Sequence, residues 1–332
     1  LSTNSPASLR IEDLPTPPAG REGWPWTERA PSLPARSWNG KPWPRISVVT
    51  PSFNQGNTIE ETIRSVLLQG YPNLEYRIID GGSNDETLEI IKAYEPWIDA
   101  WISKPDRGQS DAINRGFHES GGEVFNWLCS DDFLMPGALA CVGTAFADAD
   151  CDVFSGACDC VYESEPQRNK IRSPAGSDWQ SRPWSAGIWQ PSTFWRSDLI
   201  RGEDAVLEDL KVCMDRELWC RLLAAGANWV WSDECLSTYR FTGGNKSTVM
   251  GERAIDEIIK IYQMHLSRSK SLPVMLKHGW LPSLKASKSA RSPMLRSGAR
   301  LAARFIAACA LAIHPRDHVR SMQREFHGYA FW

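Results

Sequence analysis

From Ile46 onward, short β-branched runs alternate with stretches whose apolar residues recur at helical spacing. Ile46 to Thr50 is apolar and β-branched apart from Ser47 and stops at Pro51, which predicts a buried strand. Ile59, Ile63, Val66 and Leu67 then share one helical face, and Gly70 and Pro72 close that helix. Tyr76 to Asp80 predicts a second strand. Ser83 and Glu86 have capping-box spacing and open a helix through Leu88 and Ile91. A short strand over Ile98 to Ile102, a helix over Ser110 to Glu119 and a strand over Glu123 to Cys129 follow. Such strict alternation means a parallel sheet with helices on both faces.

Outside that block the pattern changes. Residues 1–45 carry Trp24, Trp26, Trp38 and Trp43, with six prolines in the first 31 residues, and show neither period. They read as an extended arm pinned to the folded body through its indole rings. Beyond residue 150 the pattern is more β-like. Gly187 to Arg196 predicts a strand or loop pair, and Trp229 to Trp231 and Cys235 to Phe241 predict two short strands. Met214, Leu218, Leu222 and Ala225 predict a helix capped by Gly226. The expected organisation is an arm over 1–45, a central domain over 46–250 with halves 46–135 and 136–250, and a helical extension over 251–332.

In a parallel α/β sheet, ligands bind beyond the carboxyl ends of the strands. The residues at those ends are Pro51-Ser52-Phe53-Asn54, Asp80-Gly81-Gly82-Ser83 and Ser130-Asp131-Asp132. Glycine-rich dinucleotide and P-loop patterns are absent from these turns. Asp131 and Asp132 repel one another unless a cation lies near, and a divalent metal would supply it. Capping of a helix beginning near Pro136 is the plainer use of the same pair. Asp80 is suited to accept hydrogen bonds from a base or ribose, or to hold its own turn. Asp215, at the start of its helix, is a candidate general base or a helix cap.

Composition narrows the chemistry. The 332-residue chain has 37 basic and 40 acidic residues, a net charge of −3, which argues against a nucleic-acid partner. Of six histidines only His118 falls between residues 46 and 250, so carboxylates suited to Mg²⁺ or Mn²⁺ are the better candidates there. Nine scattered cysteines fit a reducing compartment, where most serve as small buried apolar residues. No charged-then-apolar leader opens the sequence, and Leu301 to Ile313, broken by Arg304, is too short to span a bilayer. A cytoplasmic protein is expected.

Four segments, taken in order, carry a resemblance. ISVVTPSFN (Ile46 to Asn54), IIDGGSND (Ile78 to Asp85), GQSDAINRG (Gly108 to Gly116) and SDD (Ser130 to Asp132) together resemble glycosyltransferase family 2, over roughly residues 46–245. The resemblance implies the GT-A fold: an α/β, Rossmann-like nucleotide-binding mixed sheet flanked by helices, here with a C-terminal helical extension. It also implies an inverting glycosyltransferase that moves a sugar from a nucleotide-sugar donor, a UDP-sugar first among them, to a glycan or lipid-linked acceptor. By position it assigns Pro51, Phe53 and Asp80 to the nucleotide, Asp131 to the ribose, Asp132 to a divalent metal (Mn²⁺ or Mg²⁺) and Asp215 to the general base. Asp111 faces the same rim, as a donor or metal contact or as a helix cap. Gln190 and Pro191 shape the site ahead of the base, and Trp184, Trp189 and Trp195 are core or acceptor-groove residues.

The sequence departs from the family pattern in three places. Gly81 follows Asp80 where many members have a second acid, Met214 precedes Asp215 where many have Glu, and Thr242 stands where many have His. Diphosphate binding then falls to Arg240, Lys246 or the metal. A non-catalytic module of the same fold, binding nucleotide or glycan in a polysaccharide assembly, is the alternative. Over residues 265–325, 12 Lys and Arg face only Asp317 and Glu325, a balance of +10. With Arg296, Arg300 and Arg304 on one helical side, that stretch reads either as a helix packed on the body or as a peripheral membrane contact.

Overall fold

A computed structural model describes residues 9–38, 40–147, 150–162, 165–171, 188–242, 245–246, 251–265, 271–314, 318–320 and 322–324. Trp184 and Gly187 lie outside them. Two compact units divide the chain. The first takes the described residues of Leu1–Pro174, Gly187–Glu208 and Ala224–Thr242, and the second those of Ala175–Ala186, Asp209–Leu223 and Gly243–Trp332. The segment that carries Asp215 therefore groups with the C-terminal helices, across the boundary expected at residue 250.

The first unit is built on a mixed sheet. Its strands are β1 (Ile46–Ser52), β2 (Leu74–Asp80), β3 (Ala100–Ser103), β4 (Val124–Trp127), β5 (Phe133–Leu134), β6 (Val153–Tyr162), β7 (Glu165–Ile171), β8 (Thr193–Arg196) and β9 (Trp229–Phe241). They lie in the order β3-β2-β1-β4-β8-β6-β9-β5, with β7 paired to β6. The first four strands are mutually parallel, β8 runs antiparallel to both β4 and β6, and β6 runs parallel to β9. The expected alternation is thus present, with α1 (Ile59–Leu67), α2 (Thr87–Tyr94), α3 (Gln109–Glu119) and α4 (Ala138–Ala147) between strands. All seven residues of β1 are buried, which is why it reads as an apolar run rather than an alternation.

Two local expectations are corrected. The two short strands expected around Trp229 and Phe241 are one strand, β9, whose pairing with β6 shifts register beside Gly156. A Cβ at Gly156 would come within 2.4 Å of Leu236, so only glycine admits this irregularity. The capping box is absent too. α2 starts at Thr87 without a side-chain cap, and Ser83 bonds Asp80 instead.

α3 lies on β1 through Gly116, where a Cβ would come within 2.4 Å of Val49 Cγ1. The N-terminal arm is held mostly through its backbone. Arg64 of α1, fully buried, donates to the carbonyls of Pro15, Pro25 and Trp26 and to Tyr94 Oη. Trp26 and Trp43 are buried and Trp24 Nε1 donates to Leu134 O at 2.7 Å, whereas Trp38 stays 65% exposed. Trp127 and Trp195 are core residues in edge contact, with Phe125 against Trp195.

The second unit contains α5 (Met214–Ala224), α6 (Gly251–His265), α7 (Ser271–Met275), a π-helical turn (Leu276–Trp280), α8 (Leu281–Ser289) and α9 (Pro293–Ile313). No described helix is long and apolar enough to cross a membrane. All nine cysteines are free thiols and five are buried.

Candidate active site

The strand ends of the first unit converge as the sequence predicts, and side chains lock them together. Three successive amides of the loop after β1 donate to the loop after β2: Asn54 N to Ser83 Oγ (2.7 Å), Gln55 N to Thr87 Oγ1 (2.8 Å) and Gly56 N to Asp85 Oδ2 (2.9 Å). Asn54 adopts a left-handed φ of 52°, which its short polar side chain tolerates, and its Oδ1 accepts from Asn84 N. Pro51 and Ser52 are buried in this floor, while Phe53 projects with 59% of its surface exposed.

Asp80 closes the same floor from within. Its Oδ2 accepts from Gly82 N, Ser83 N and Ser103 Oγ, and its Oδ1 from Ser83 Oγ. Only 1% of Asp80 is exposed, so its visible work is to hold the turn. Asp106, which sequence reasoning passed over, stands beside it. Asp106 Oδ2 lies 2.8 Å from where a Cβ of Gly81 would be, and Oδ1 accepts from Gly108 N at 2.8 Å. A second carboxylate therefore reaches the end of β2 from the β3–α3 loop, in the space that Gly81 leaves open. The sequence signal was Gly81 itself, since a missing side chain leaves room for a neighbour.

Asp131, Asp132 and Cys129 form the other centre. Their oxygen and sulfur atoms lie within 4.8 Å of one another. Asp132 is 1% exposed and Asp131 and Cys129 are half-buried. The turn is held from both sides. Thr62 Oγ1 donates to Asp132 O (2.6 Å), Arg240 N donates to Asp132 Oδ1 (3.0 Å), and Arg240 Nε donates to Asp131 O (3.0 Å). Arg240 also pairs with Glu61 at 2.8 Å, so its guanidinium braces the turn. α4 begins six residues beyond Asp132, so neither aspartate occupies its cap position. Burial, and then the charge of Asp131, push the Asp132 carboxyl well above the usual carboxylate range, against the pull of the Arg240 amide and guanidinium. Two crowded carboxylates and a thiol, one of them destabilised as an anion, fit a divalent cation.

Asp111 and Asp215 are the remaining assigned carboxylates. Asp111 sits in the first turn of α3 and accepts from Arg107 N and Arg107 Nη2, both at 3.0 Å, and these bonds hold its carboxyl below the usual range. Asp215, in the second unit, opens α5 and accepts from Arg216 N at 2.8 Å. It keeps a partly exposed surface, yet the atoms crowded around its carboxyl push its pKa up. Arg216 opposes that rise and Glu257 adds to it. Gln190 Nε2 donates to Trp127 O at 2.6 Å, joining the segment before β8 to the end of β4.

Residues 47–203 match the profile of Glycosyl transferase family 2. The chain carries a family 2 glycosyltransferase domain. An uncharacterised glycosyltransferase of Mycobacterium tuberculosis is 38% identical over 99 residues, 29% of this chain and 38% of its own length. TuaG of Bacillus subtilis, named for teichuronic acid biosynthesis, is 26% identical over 210 residues, 62% of this chain and 82% of its own. The chain thus spans well under half the length of the mycobacterial relative. Among solved structures, a TarS fragment from S. aureus in complex with UDP-GlcNAc aligns with a TM-score of 0.55 and 16% identity, over 86% of this chain and 91% of that one. A Pyrobaculum calidifontis mannosyltransferase in complex with GDP-Man and Mn²⁺ aligns with the same TM-score and 17% identity, over 88% and 90%. The family 2 domain therefore has the fold of these structures.

Proposed function

We propose that the chain is an inverting glycosyltransferase that moves a sugar from a nucleotide-sugar donor, a UDP-sugar first among them, to a hydroxyl of a glycan or lipid-linked acceptor. The observation that carries this reading is the family 2 domain over 47–203 with a paired-aspartate turn, Asp131-Asp132, at the end of its fourth strand. Pro51 and Phe53 flank the base, Asp80 and Asp106 shape the end of β2 beneath it, and Asp131 faces the ribose. Asp132 holds a divalent cation, Mn²⁺ or Mg²⁺, which when bound neutralises the departing diphosphate.

Asp215 supplies the base. As the acceptor oxygen attacks the anomeric carbon, its proton passes to the Asp215 carboxylate and the bond to the diphosphate oxygen breaks, which inverts the centre. A carboxyl whose pKa is raised is a better proton acceptor once ionised. The setting is cytoplasmic polysaccharide assembly, with residues 265–324 at a membrane surface. A thermal-shift panel of UDP, GDP, TDP and CMP with and without Mn²⁺, on wild type and Asp132→Ala, tests the donor site. A metal-dependent shift for one nucleotide, lost in the variant, supports the reading. Nucleotide binding without release of nucleoside diphosphate from any sugar donor favours the non-catalytic module, and no shift at all counts against the donor site.

A further inference from the structure

The turn after β4 is closed by one backbone bond, from Asp132 N to Cys129 O at 3.0 Å. That bond holds the two residues close, and Asp131 lies between them in sequence. Cys129 Sγ and a carboxylate oxygen from each of Asp131 and Asp132 lie within 4.8 Å of one another. Donors that share one cation at about 2.0–2.4 Å are at most about 4–5 Å apart, so the sulfur stands within reach of an ion on Asp132. Among the described residues no other three His, Cys, Asp or Glu side chains meet at this spacing.

Asp132 has an oxygen to give. The residue is 1% exposed and its Oδ1 accepts from Arg240 N, but its Oδ2 accepts no hydrogen bond among the described residues. A buried carboxylate oxygen without a donor is costly, and a cation beside it removes that cost. The sulfur is oriented from outside the group. Gln109 Nε2, at the start of α3, donates to Cys129 Sγ at 3.0 Å. An N–H aimed at a ligand sulfur fixes its direction and stabilises it as an anion. We propose that Cys129 Sγ is a second protein ligand of the cation at Asp132, and that this sulfur makes the site prefer softer divalent ions (Cd²⁺, Zn²⁺ and Co²⁺, then Mn²⁺) over Mg²⁺.

The donor set decides between the cations. Mg²⁺ takes oxygen ligands and sheds water reluctantly, so a sulfur in its shell replaces a better ligand with a worse one. Softer ions gain from the thiolate. As the sulfur–metal bond forms, the thiol proton passes to solvent and neither partner changes oxidation state. Cysteines used for packing sit differently. Cys158 and Cys160 on β6 are fully buried, and burial pushes both thiols up, Cys160 to about 12. Cys129 is only half-buried and stands among carboxylates. The inference rests on the reading of Asp132 as the metal ligand of the donor site, and adds which ions that site takes.

Titration of the full chain, kept reduced, with Co²⁺ alone and with Co²⁺ plus UDP tests it. Thiolate coordination gives a sulfur-to-cobalt charge-transfer band in the near ultraviolet, which a site of oxygen ligands lacks. The band forms in the wild type and is absent from Cys129→Ser and from Asp132→Ala. Competition with Mg²⁺ measures the preference. Cys129→Ser lowers the ratio of Co²⁺ to Mg²⁺ affinity about tenfold to a hundredfold, and Cys129→Asp, which puts an oxygen donor in place of sulfur, lowers it too. Melting temperatures of the metal-free variants check that they fold. The wild type gives a readout that needs no variant: Cd²⁺ slows alkylation of Cys129, followed by mass spectrometry of its peptide, and Mg²⁺ at the same concentration does not. A band that survives either Cys129→Ser or Asp132→Ala, or an affinity ratio that Cys129→Ser leaves unchanged, overturns the proposal. Co²⁺ binding that needs Asp132 but shows no thiolate band overturns the role of Cys129 and leaves the metal at Asp132 standing. No binding of Co²⁺, Mn²⁺ or Mg²⁺, alone or with UDP, overturns both.

Discussion

Arg240 donates its backbone N–H to Asp132 Oδ1 at 3.0 Å, and its Nε to the carbonyl of Asp131 at 3.0 Å. One residue near the end of β9 therefore fixes both halves of the paired-aspartate turn. It takes part where Thr242, rather than His, follows the same strand. The guanidinium is braced in turn by Glu61 at 2.8 Å, with both side chains largely buried. Arg240 thus works by holding carboxylates in place, and its charge offsets part of their repulsion.

Replacing Arg240 should loosen that turn and strand Glu61. Removing one partner of a largely buried pair leaves an uncompensated charge, so Arg240→Ala should cost about 3 kcal/mol of stability. Arg240→Met with Glu61→Leu should recover most of that stability, because the unpaired charge is gone. It should not recover Mn²⁺-dependent stabilisation, because the Asp131 carbonyl stays unsupported. Urea denaturation with and without Mn²⁺ measures both effects. Equal recovery of the two would show that Arg240 matters only for packing.

Asp80 and Asp106 lie together at the end of β2 and should respond differently. Asp80 accepts four hydrogen bonds from its own turn and from Ser103, so Asp80→Ala should destabilise the fold by about 2–4 kcal/mol, chiefly through buried donors left unpaired. Asp106 is partly exposed, and Asp106→Asn keeps an acceptor for Gly108 N. That substitution should leave stability within about 0.5 kcal/mol and weaken nucleotide binding. Gly81→Ala should act like it, since the new Cβ would meet the Asp106 carboxylate at 2.8 Å. Calorimetric titration with the nucleotide, beside a melting curve for each variant, separates the two roles. Unweakened binding in Asp106→Asn would remove it from the site.

What was legible in the sequence follows from burial. β1 and β2 lie inside a parallel sheet and so read as apolar runs, and a strand end is then a polar residue after such a run. That logic located Asp80, Asp131 and Asp132 correctly at strand ends. It did not show how they are satisfied, because their partners arrive from far along the chain. Arg240 and Glu61 meet across 179 residues of sequence, and no local period records that. Ser83 misled for a related reason. Its spacing to Glu86 suits a helix start, but the buried Asp80 needed donors and took its hydroxyl. The expectation of two short strands leaves out Ser232-Asp233-Glu234, whereas β9 runs through this polar stretch with a register irregularity against β6.

Gly116, the last residue of GQSDAINRG, is explained by contact rather than by chemistry. Its missing side chain lets α3 press onto β1, with Val49 Cγ1 and Cγ2 at 2.4 and 2.8 Å from the Cβ position. Gly116→Ala should therefore destabilise by about 1–3 kcal/mol through overpacking, although alanine favours a helix. Val49→Ala in the same chain should return part of the loss by making room. A denaturant midpoint for the single and double variants tests the coupling, and simple additivity would count against direct contact.

Asp215 ties stability to the proposed chemistry. Its carboxyl is pushed up chiefly by burial, so the folded chain holds that proton more tightly than the unfolded chain does. The sign follows from linkage. Below the ordinary aspartate range both states are protonated and the residue costs nothing. As pH rises through the interval between the ordinary and the raised value, the folded state alone still holds the proton, so stability falls; above that interval the loss is complete. Glu257 sharpens the effect. It is buried, accepts the amides of Lys211, Val212 and Cys213 just before α5, and adds its own negative charge to the setting of Asp215. Asp215→Asn removes the ionisation, so this variant should melt higher than wild type near pH 8 and close to it near pH 4, while transfer is lost and nucleotide binding kept. The wild-type kcat/KM should rise with pH along a limb set above the usual aspartate range, as a base that must first lose its proton requires. Melting curves at both pH values, beside nucleoside diphosphate release across the range, test the two halves together. A higher melting temperature near pH 8 with unchanged turnover would keep the buried carboxylate and discard the base.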